Sequence, residues 1–403
     1  MSKWSEKHIA YAFLYLFVIA VFFYLKNANL LVDEQIHQAQ IRRFFAGDYT
    51  LEPALTTVPG YHLLLAWLIW PFGELTLPMI RGVNMVFGLA LIGVFTLLLR
   101  RIQGRVELAR LVQFVFFPII LPFFFLAYTD VLGLALVLAG LYLALCGQWT
   151  ASALVCLLSL TVRQNNVVWM AMIPMLCHLQ APGRVWDSQR LKTLARRCWA
   201  FILGGIGFAA FVVYNGGVAV GDRWAHPASG IHSGNFYFLL LIYSILFLPA
   251  IIANLRNTVD YIRNQSLAPI GLACLFLFYL FTFNNTHPYN HLLEHYFLRN
   301  WLLQLITSSA MMKIAFFLPM AIAFFDFLAR AKGRHDRLLL GLFGVLAVLP
   351  SWLIEQRYYI VPLALLMLYR DEEAPQVEAV TSLYYVTAAV ALLYGIATYR
   401  CFL

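Results

Sequence analysis

Charge is what this chain has least of. Only 12% of its 403 residues are Asp, Glu, Lys or Arg, and nowhere do they gather into a long polar segment. That excludes a soluble domain hung on one or two membrane anchors. Cysteine is sparse too. The six cysteines, Cys146, Cys156, Cys177, Cys198, Cys274 and Cys401, lie in or beside apolar runs without CxxC or metal-type spacing. A disulfide framework is therefore not expected, and the thiols read as small apolar side chains. No helix-opening G-x-G-x-x-G or Walker pattern is present, which excludes a nucleotide-binding fold. No internal repeat marks the paired halves common in transporters. The first apolar run, 9–25, is followed by Lys26-Asn27 with no small-residue cleavage site, so it reads as a first span rather than a signal peptide.

What is there is hydrophobic. The chain is 62% apolar, with a mean hydropathy of +0.76 and 33 Phe, 21 Tyr and 10 Trp. This composition predicts an all-α polytopic membrane protein, one domain over 1–403. Apolar runs fall at 9–25, 57–71, 79–99, 111–127, 129–147, 151–161, 165–180, 199–219, 236–254, 267–285, 304–329, 338–353, 358–369 and 380–398. Several are shorter than the roughly 20 residues of a full crossing, which gives an expectation of about 11 to 13 spans. The net charge of +9 comes from arginines clustered between spans, a topology signal and not a nucleic-acid footprint. Lys3, Lys7 and the basic segments 184–197, 256–263 and 330–337 are expected inside. Segments 26–56, 221–235 and 286–303 are expected outside, facing a periplasm or an organelle lumen. Arg100, Arg101, Arg105 and Arg110 fit this alternation only if 57–71 inserts partially, which leaves Arg81 near the outer face. Short crossings between 111 and 180 then bring Tyr128-Thr129-Asp130 and Arg163-Gln164-Asn165-Asn166 outside as well.

Chemistry concentrates in a few polar groups. Val32-Asp33-Glu34-Gln35-Ile36-His37 places adjacent carboxylates just beyond the first span, where charge is costly unless paired, hydrated or useful. Leu31, Ile36, Ala39, Ile41, Phe44 and Phe45 roughly share a face, which predicts an amphipathic helix in the interface. Asp33 and His37 are neighbours at i,i+4 on it. One reading makes a carboxylate a general base tuned by His37. The other is a hydrated helix start with acids at the positive dipole end. Asn215-Gly216-Gly217 through Gly221-Asp222-Arg223 reads either as a phosphate cradle of backbone amides with Arg223, or as a Gly-rich turn. His287, His291 and His295 recur every four residues, but no second acid cluster completes a zinc site, and Pro288 interrupts the helix. Hydrogen bonding to sugar hydroxyls or a lipid phosphate suits them better. Arg163-Gln164 and Glu355-Gln356-Arg357 sit in apolar surroundings. Each is a phosphate reader or an internal ion pair.

These segments together resemble the dolichyl-phosphate-glucose-dependent α-1,2-glucosyltransferases, which add the terminal glucose of the lipid-linked oligosaccharide. The resemblance lies in Val32 to Gln40, Thr56-Thr57-Val58-Pro59-Gly60-Tyr61, Tyr128-Thr129-Asp130 and Arg163-Gln164-Asn165-Asn166-Val167-Val168-Trp169. It continues through Asn215-Gly216-Gly217, Gly221-Asp222-Arg223, His287-Pro288-Tyr289, His295-Tyr296 and Glu355 to Pro362, in order from near 30 to near 370. It implies a GT-C-type fold, a sugar donor on a polyprenyl monophosphate and inversion at the sugar carbon. Asp33, with Glu34 as second choice, becomes the base. Arg163, Arg223, Arg299 and Arg357 become phosphate contacts, with Gln164, Asp222, Glu355 and the three histidines as further substrate contacts. Such chemistry needs neither metal nor cofactor. The acceptor is a glycan or lipid-linked glycan, and nucleic acid is no partner. The chain departs from the longer eukaryotic enzymes in having only 181–197 where they carry a larger insert. That suggests a compact relative, in a bacterial inner membrane with undecaprenol or in the endoplasmic reticulum with dolichol. The alternatives are transfer of mannose or another sugar, or a lipid-linked sugar flippase.

Overall fold

The computed structural model describes residues 3–227, 230–293 and 296–403. It is all α among these residues, and it separates into two compact units, Met1–Trp224 and Ala225–Leu403. All six cysteines are free. Among the described residues, four helices are long and apolar enough to cross a membrane, and up to six spans result if each of two bent pairs counts as one. This polytopic architecture has fewer full-length spans than the apolar runs suggested, for a local reason. Several runs fold into helices of 10–17 residues, which at 1.5 Å per residue fall short of a bilayer core of about 30 Å.

The first unit comprises α1 (Lys3–Leu25), α2 (Glu34–Phe45), α3 (Gly60–Ile69), α4 (Leu77–Gln103), α5 (Leu108–Val115), α6 (Asp130–Leu145), α7 (Trp149–Val162), α8 (Val167–Gln180), α9 (Ser188–Arg197) and α10 (Trp199–Asn215). At its centre α6 packs against α4 and α7. The run 111–127, expected as a short crossing, does not continue as a helix. After α5 it breaks into turns, because Pro118 and Pro122 each lack an amide donor and clash with a preceding carbonyl. Its phenylalanines, Phe114, Phe116, Phe117, Phe123, Phe124 and Phe125, fill the core instead, with Phe114 stacked on Phe95 at 3.6 Å.

The two ends of this unit differ in charge. Arg101 donates to Leu145 O at the last residue of α6, and Arg197 lies over the Trp149 ring at the start of α7. Arg190 closes the end of α8 by donating to the carbonyls of His178 and Ala181. Arg81, four residues after Leu77 at the start of α4, meets the chain that follows α1. The basic clusters thus share the end opposite Arg81, Asp130 and Arg163, as the charge pattern predicted.

The second unit comprises α11 (Ser233–Leu246), α12 (Leu248–Arg263), α13 (Ala268–Thr282), α14 (Leu298–Thr307), α15 (Ala310–Ala331), α16 (His335–Val348), α17 (Ile360–Tyr369) and α18 (Pro375–Ala397). The run 236–254 was expected as one span. It is broken at Phe247, where α11 and α12 diverge by 101° and Pro249 sits in the first turn of the new helix. Tyr237, Phe283 and Phe317 surround Tyr279 in a buried ring cluster, with centroids 4.9–5.4 Å from that of Tyr279. At one end Asp326 accepts from Tyr243, Asn254 and Arg330, and Arg330 also pairs with Glu373.

Candidate functional site

In the first unit, every polar segment singled out by the sequence comes to the end away from the basic clusters. The chain leaves α1 and makes a tight turn at residues 31–34 before entering α2. Val32, a β-branched residue, is held there at φ +43°, a left-handed conformation such residues rarely adopt. The turn is fixed from several sides. Glu34 N donates to Leu31 O at 2.9 Å and Leu31 N to Glu34 Oε2 at 3.0 Å. The Tyr128 hydroxyl donates to Leu31 O and accepts from Asp33 N, both at 3.2 Å.

The two carboxylates have different surroundings. Glu34 is fully buried, so it is no hydrated helix start. Its Oε2 lies 2.6 Å from Arg81 Nη2 and its Oε1 3.0 Å from Arg81 Nε, a two-pronged pairing. Ala127 N donates to Oε1 at 2.7 Å. With the Leu31 amide, all four acceptor positions of this carboxylate are engaged. Arg81 in turn donates to the carbonyls of Leu25, Ala28 and Asn29, closing the end of α1. Asp33, the residue before α2, is only half-buried, and its carboxylate does not cap the helix.

The face of α2 that turns inward carries Glu34, His37, Gln38, Gln40, Ile41 and Phe44. The apolar face expected for an interfacial helix is thus divided: Ile41 and Phe44 turn into the protein beside four polar side chains, while Ile36, Ala39 and Phe45 stay half-buried. His37 Nδ1 lies 2.8 Å from Nε2 of the fully buried His62 on α3, with Tyr61 and Tyr128 edge-on to the His37 ring. Gln40 ties the following loop through Thr50 O and Glu52 N, and Arg43 adds Asp48, Thr50 and Glu52. Outside the spans, the Thr50 hydroxyl and amide, then Arg43, hold the Asp48 carboxyl below the usual carboxylate range.

Arg163 pairs with Asp130 and also reaches Thr129. Gln164 Nε2 donates to Thr56 O and to Val218 O, both at 3.1 Å, which joins three of the segments. The Gly-rich stretch does not offer its amides to a ligand. Val220, Gly221 and Asp222 donate to Thr56, Leu55 and Pro53 carbonyls, and Gly216 and Gly217 to the last turn of α10. Gly221 is required at this crossing, since a Cβ there would lie 2.5 Å from Pro53 O. Of the two readings of this stretch, these bonds fit the Gly-rich turn, with three of its amides taken by the 53–56 segment. Asp222 adopts φ +39°, and the exposed Arg223 donates to Asn215 Oδ1 at 2.8 Å.

The second unit builds its own polar end. Asn235 donates to Ser351 O and Leu353 O and accepts from Glu355 N and the Tyr359 hydroxyl. Glu355 Oε1 sits 2.6 Å from Arg357 Nε and 3.6 Å from Arg299 Nη1. Arg299 also donates to Leu403 O at 2.6 Å and lies over the Phe297 ring. His287 Nε2 is 3.0 Å from Ala225 O, and its Nδ1 accepts from Tyr289 N. His291 contacts Asn285 O and Gln304 Nε2. His295 lies outside the described residues.

Arg81 as the partner of Glu34, His62 as that of His37, and Tyr128 as a bridging hydroxyl were not foreseen. Arg81 lies 47 residues from Glu34, and the only sequence signal was a lone cation inside an apolar run.

Fold and site together define a many-helix membrane protein whose first unit carries an ion-paired polar end and a strained turn before its acid pair. The family model described as the DIE2/ALG10 family matches residues 27–193 and 180–368. The chain belongs to that family. It is 24% identical to a protein of Rattus norvegicus over 82% of each chain, and 25% identical to one of Homo sapiens over 82% of each. A third relative, from Debaryomyces hansenii, is 26% identical over 84% of this chain and 82% of its own. All three are named Dol-P-Glc:Glc(2)Man(9)GlcNAc(2)-PP-Dol alpha-1,2-glucosyltransferase. No solved structure matches.

Proposed function

We infer that this chain is a multi-pass membrane glucosyltransferase that moves glucose from a polyprenyl phosphate to a hydroxyl of a lipid-linked glycan, forming an α-1,2 linkage with inversion. Its relatives' names support the donor and the acceptor class. The observation that carries the site assignment is the strained turn at Val32, which fixes the backbone of Asp33 beside a carboxylate already saturated with partners.

In this reading Asp33 is the general base. It takes the proton of the acceptor hydroxyl as that oxygen attacks the sugar C1, while the bond to the lipid phosphate breaks and the phosphate leaves with the electron pair. Glu34 holds Arg81 and the turn. Phosphate leaves readily, so positive charge near it completes the catalysis. Arg163 and Arg223 are the candidates for that role within the first unit; in the second unit Arg299 and Arg357 meet Glu355. The site end of the first unit faces the periplasm or lumen, since the arginine clusters sit at the other end.

Purified protein given polyprenyl phosphate glucose and a lipid-linked glycan tests this reading. A new glycosidic bond and released polyprenyl phosphate are expected. Movement of lipid between leaflets without any bond formed would instead make the chain a flippase.

A further inference from the structure

The basic ends of the two units are neutralised differently. In the second unit Arg330, Arg334, Arg337 and Arg370 pair with Glu373, Asp336, Asp371 and Glu378. In the first unit the segment 181–197 carries Arg184, Arg190, Lys192, Arg196 and Arg197 against a single acid, Asp187. That acid is engaged at the first turn of α9, where its Oδ1 accepts from Arg190 N at 3.0 Å. Among the described residues Arg184, Lys192, Arg196 and Arg197 have no carboxylate partner. The segment is exposed throughout except for Val185, Arg190 and Leu194, which are half-buried.

Between the end of α8 and α9 lies a pocket of about 240 Å³. Gln189, Arg190, Thr193 and Arg197 line it from one face of α9, and Trp149 and His178 line the other side. Arg190 is turned to the carbonyls of His178, Ala181 and Gly183. Arg197 meets only the face of Trp149, 5.5 Å away, so among the described residues its N–H donors have no acceptor.

We propose that this pocket seats the head group of an anionic phospholipid, with Arg197 facing its phosphate. Tryptophan placement selects a lipid over a free anion. Trp149 lines the pocket, Trp186 stands just before α9 at 85% exposed, and Trp199 opens α10 at 52% exposed. Tryptophans in such positions mark the depth of the head groups. The helix direction agrees. At Cys198 α9 turns 58° from the apolar α10, leaving the span to lie along the membrane surface with Leu191 exposed beside its cations. Charge then selects an anionic lipid, since basic pockets at this depth receive phosphate head groups and nothing in the protein balances Arg197. Lys192 and Arg196, four residues apart on another face of α9, stay outside the pocket over the surrounding leaflet. The site is independent of the proposed transfer reaction.

Native mass spectrometry of the full-length protein, released from micelles holding equal phosphatidylglycerol and phosphatidylcholine, tests this. One phosphatidylglycerol retained in preference to phosphatidylcholine is expected. Arg197→Gln should lower its retention about fivefold, the factor a cation contributes beside anionic lipid. Thr193→Leu fills the pocket from an exposed position without altering charge, and it should also remove the lipid. Arg196→Gln removes the same charge from outside the pocket and should change retention by less than about twofold. Equal retention of the two lipids overturns the proposal, as does unchanged retention in Thr193→Leu and Arg197→Gln. A loss in Arg196→Gln as large as in Arg197→Gln would replace the seat by diffuse attraction to the basic segment. Displacement by inorganic phosphate at the concentration of the lipid would make the pocket a free-anion site instead. If Arg197→Gln melts below wild type through loss of its Trp149 contact, two further variants decide: Thr193→Leu should lose the lipid and Arg197→Lys should keep it.

Discussion

Replacing Glu34 by Gln separates architecture from chemistry at the opening of α2. The substitution keeps the shape of the side chain and removes its charge. Arg81 is then left fully buried with only backbone carbonyls as partners. Removing one member of a buried ion pair costs about 3–5 kcal/mol, because the remaining charge stays desolvated. In either orientation the Gln amide must also face Arg81 together with the Ala127 or the Leu31 N–H, donor against donor, where each oxygen of Glu34 accepted from such a pair. For a unit of this size, roughly 2–4 °C per kcal/mol turns that cost into a fall of roughly 6–20 °C in thermal midpoint. Unfolding of wild type, Glu34→Gln, Arg81→Gln and the double variant, followed by fluorescence in one detergent, checks it. The double variant should fall short of the sum by about 2 kcal/mol, since both changes break the same contacts. A Glu34→Gln protein that melts with wild type yet loses transfer would refute the reasoning and make Glu34 a chemical group.

Other expectations are equally direct. Gly221→Ala forces a methyl group against the carbonyls of Pro53 and Leu55. It should cost about 1–3 kcal/mol and speed proteolysis in the 53–57 and 215–223 segments, as read by limited digestion. Asn235→Ala leaves the carbonyls of Ser351 and Leu353 without their donor. It should lower the stability of the second unit by about 2–4 kcal/mol in thermal unfolding. His62→Phe removes the 2.8 Å contact to His37 while keeping ring volume; it should reduce transfer more than it reduces the melting temperature, seen by comparing both in one preparation.

Much of the first unit was legible before any coordinates. Arginine clusters placed its two ends, because the cost of burying charge acts on composition and needs no detail of packing. Parity brought Tyr128-Thr129-Asp130 and Arg163-Gln164 to the end where they lie. What was hidden is pairing at a distance. Nothing near Glu34 in sequence announces Arg81, and the buried His62 sits in a stretch that reads as plain helix. The burial of polar side chains on α2 was hidden too, because the partners that satisfy them, such as Arg81, His62 and the 50–52 loop, lie far from α2 in sequence or outside any motif. Prolines explain the remaining differences. Pro118 and Pro122 stop the helix within the 111–127 run, and Pro249 helps to bend the 236–254 run, so hydropathy alone counted continuous helices that the backbone does not form.

The central claim is that Asp33 takes the acceptor proton while Glu34 holds the turn. Glucose transfer by Asp33→Asn tests it most directly, measured with saturating polyprenyl phosphate glucose on protein of matched folded fraction. The account predicts a fall in kcat of about 10²–10⁴ with an unchanged melting temperature. Transfer at the wild-type rate would contradict it.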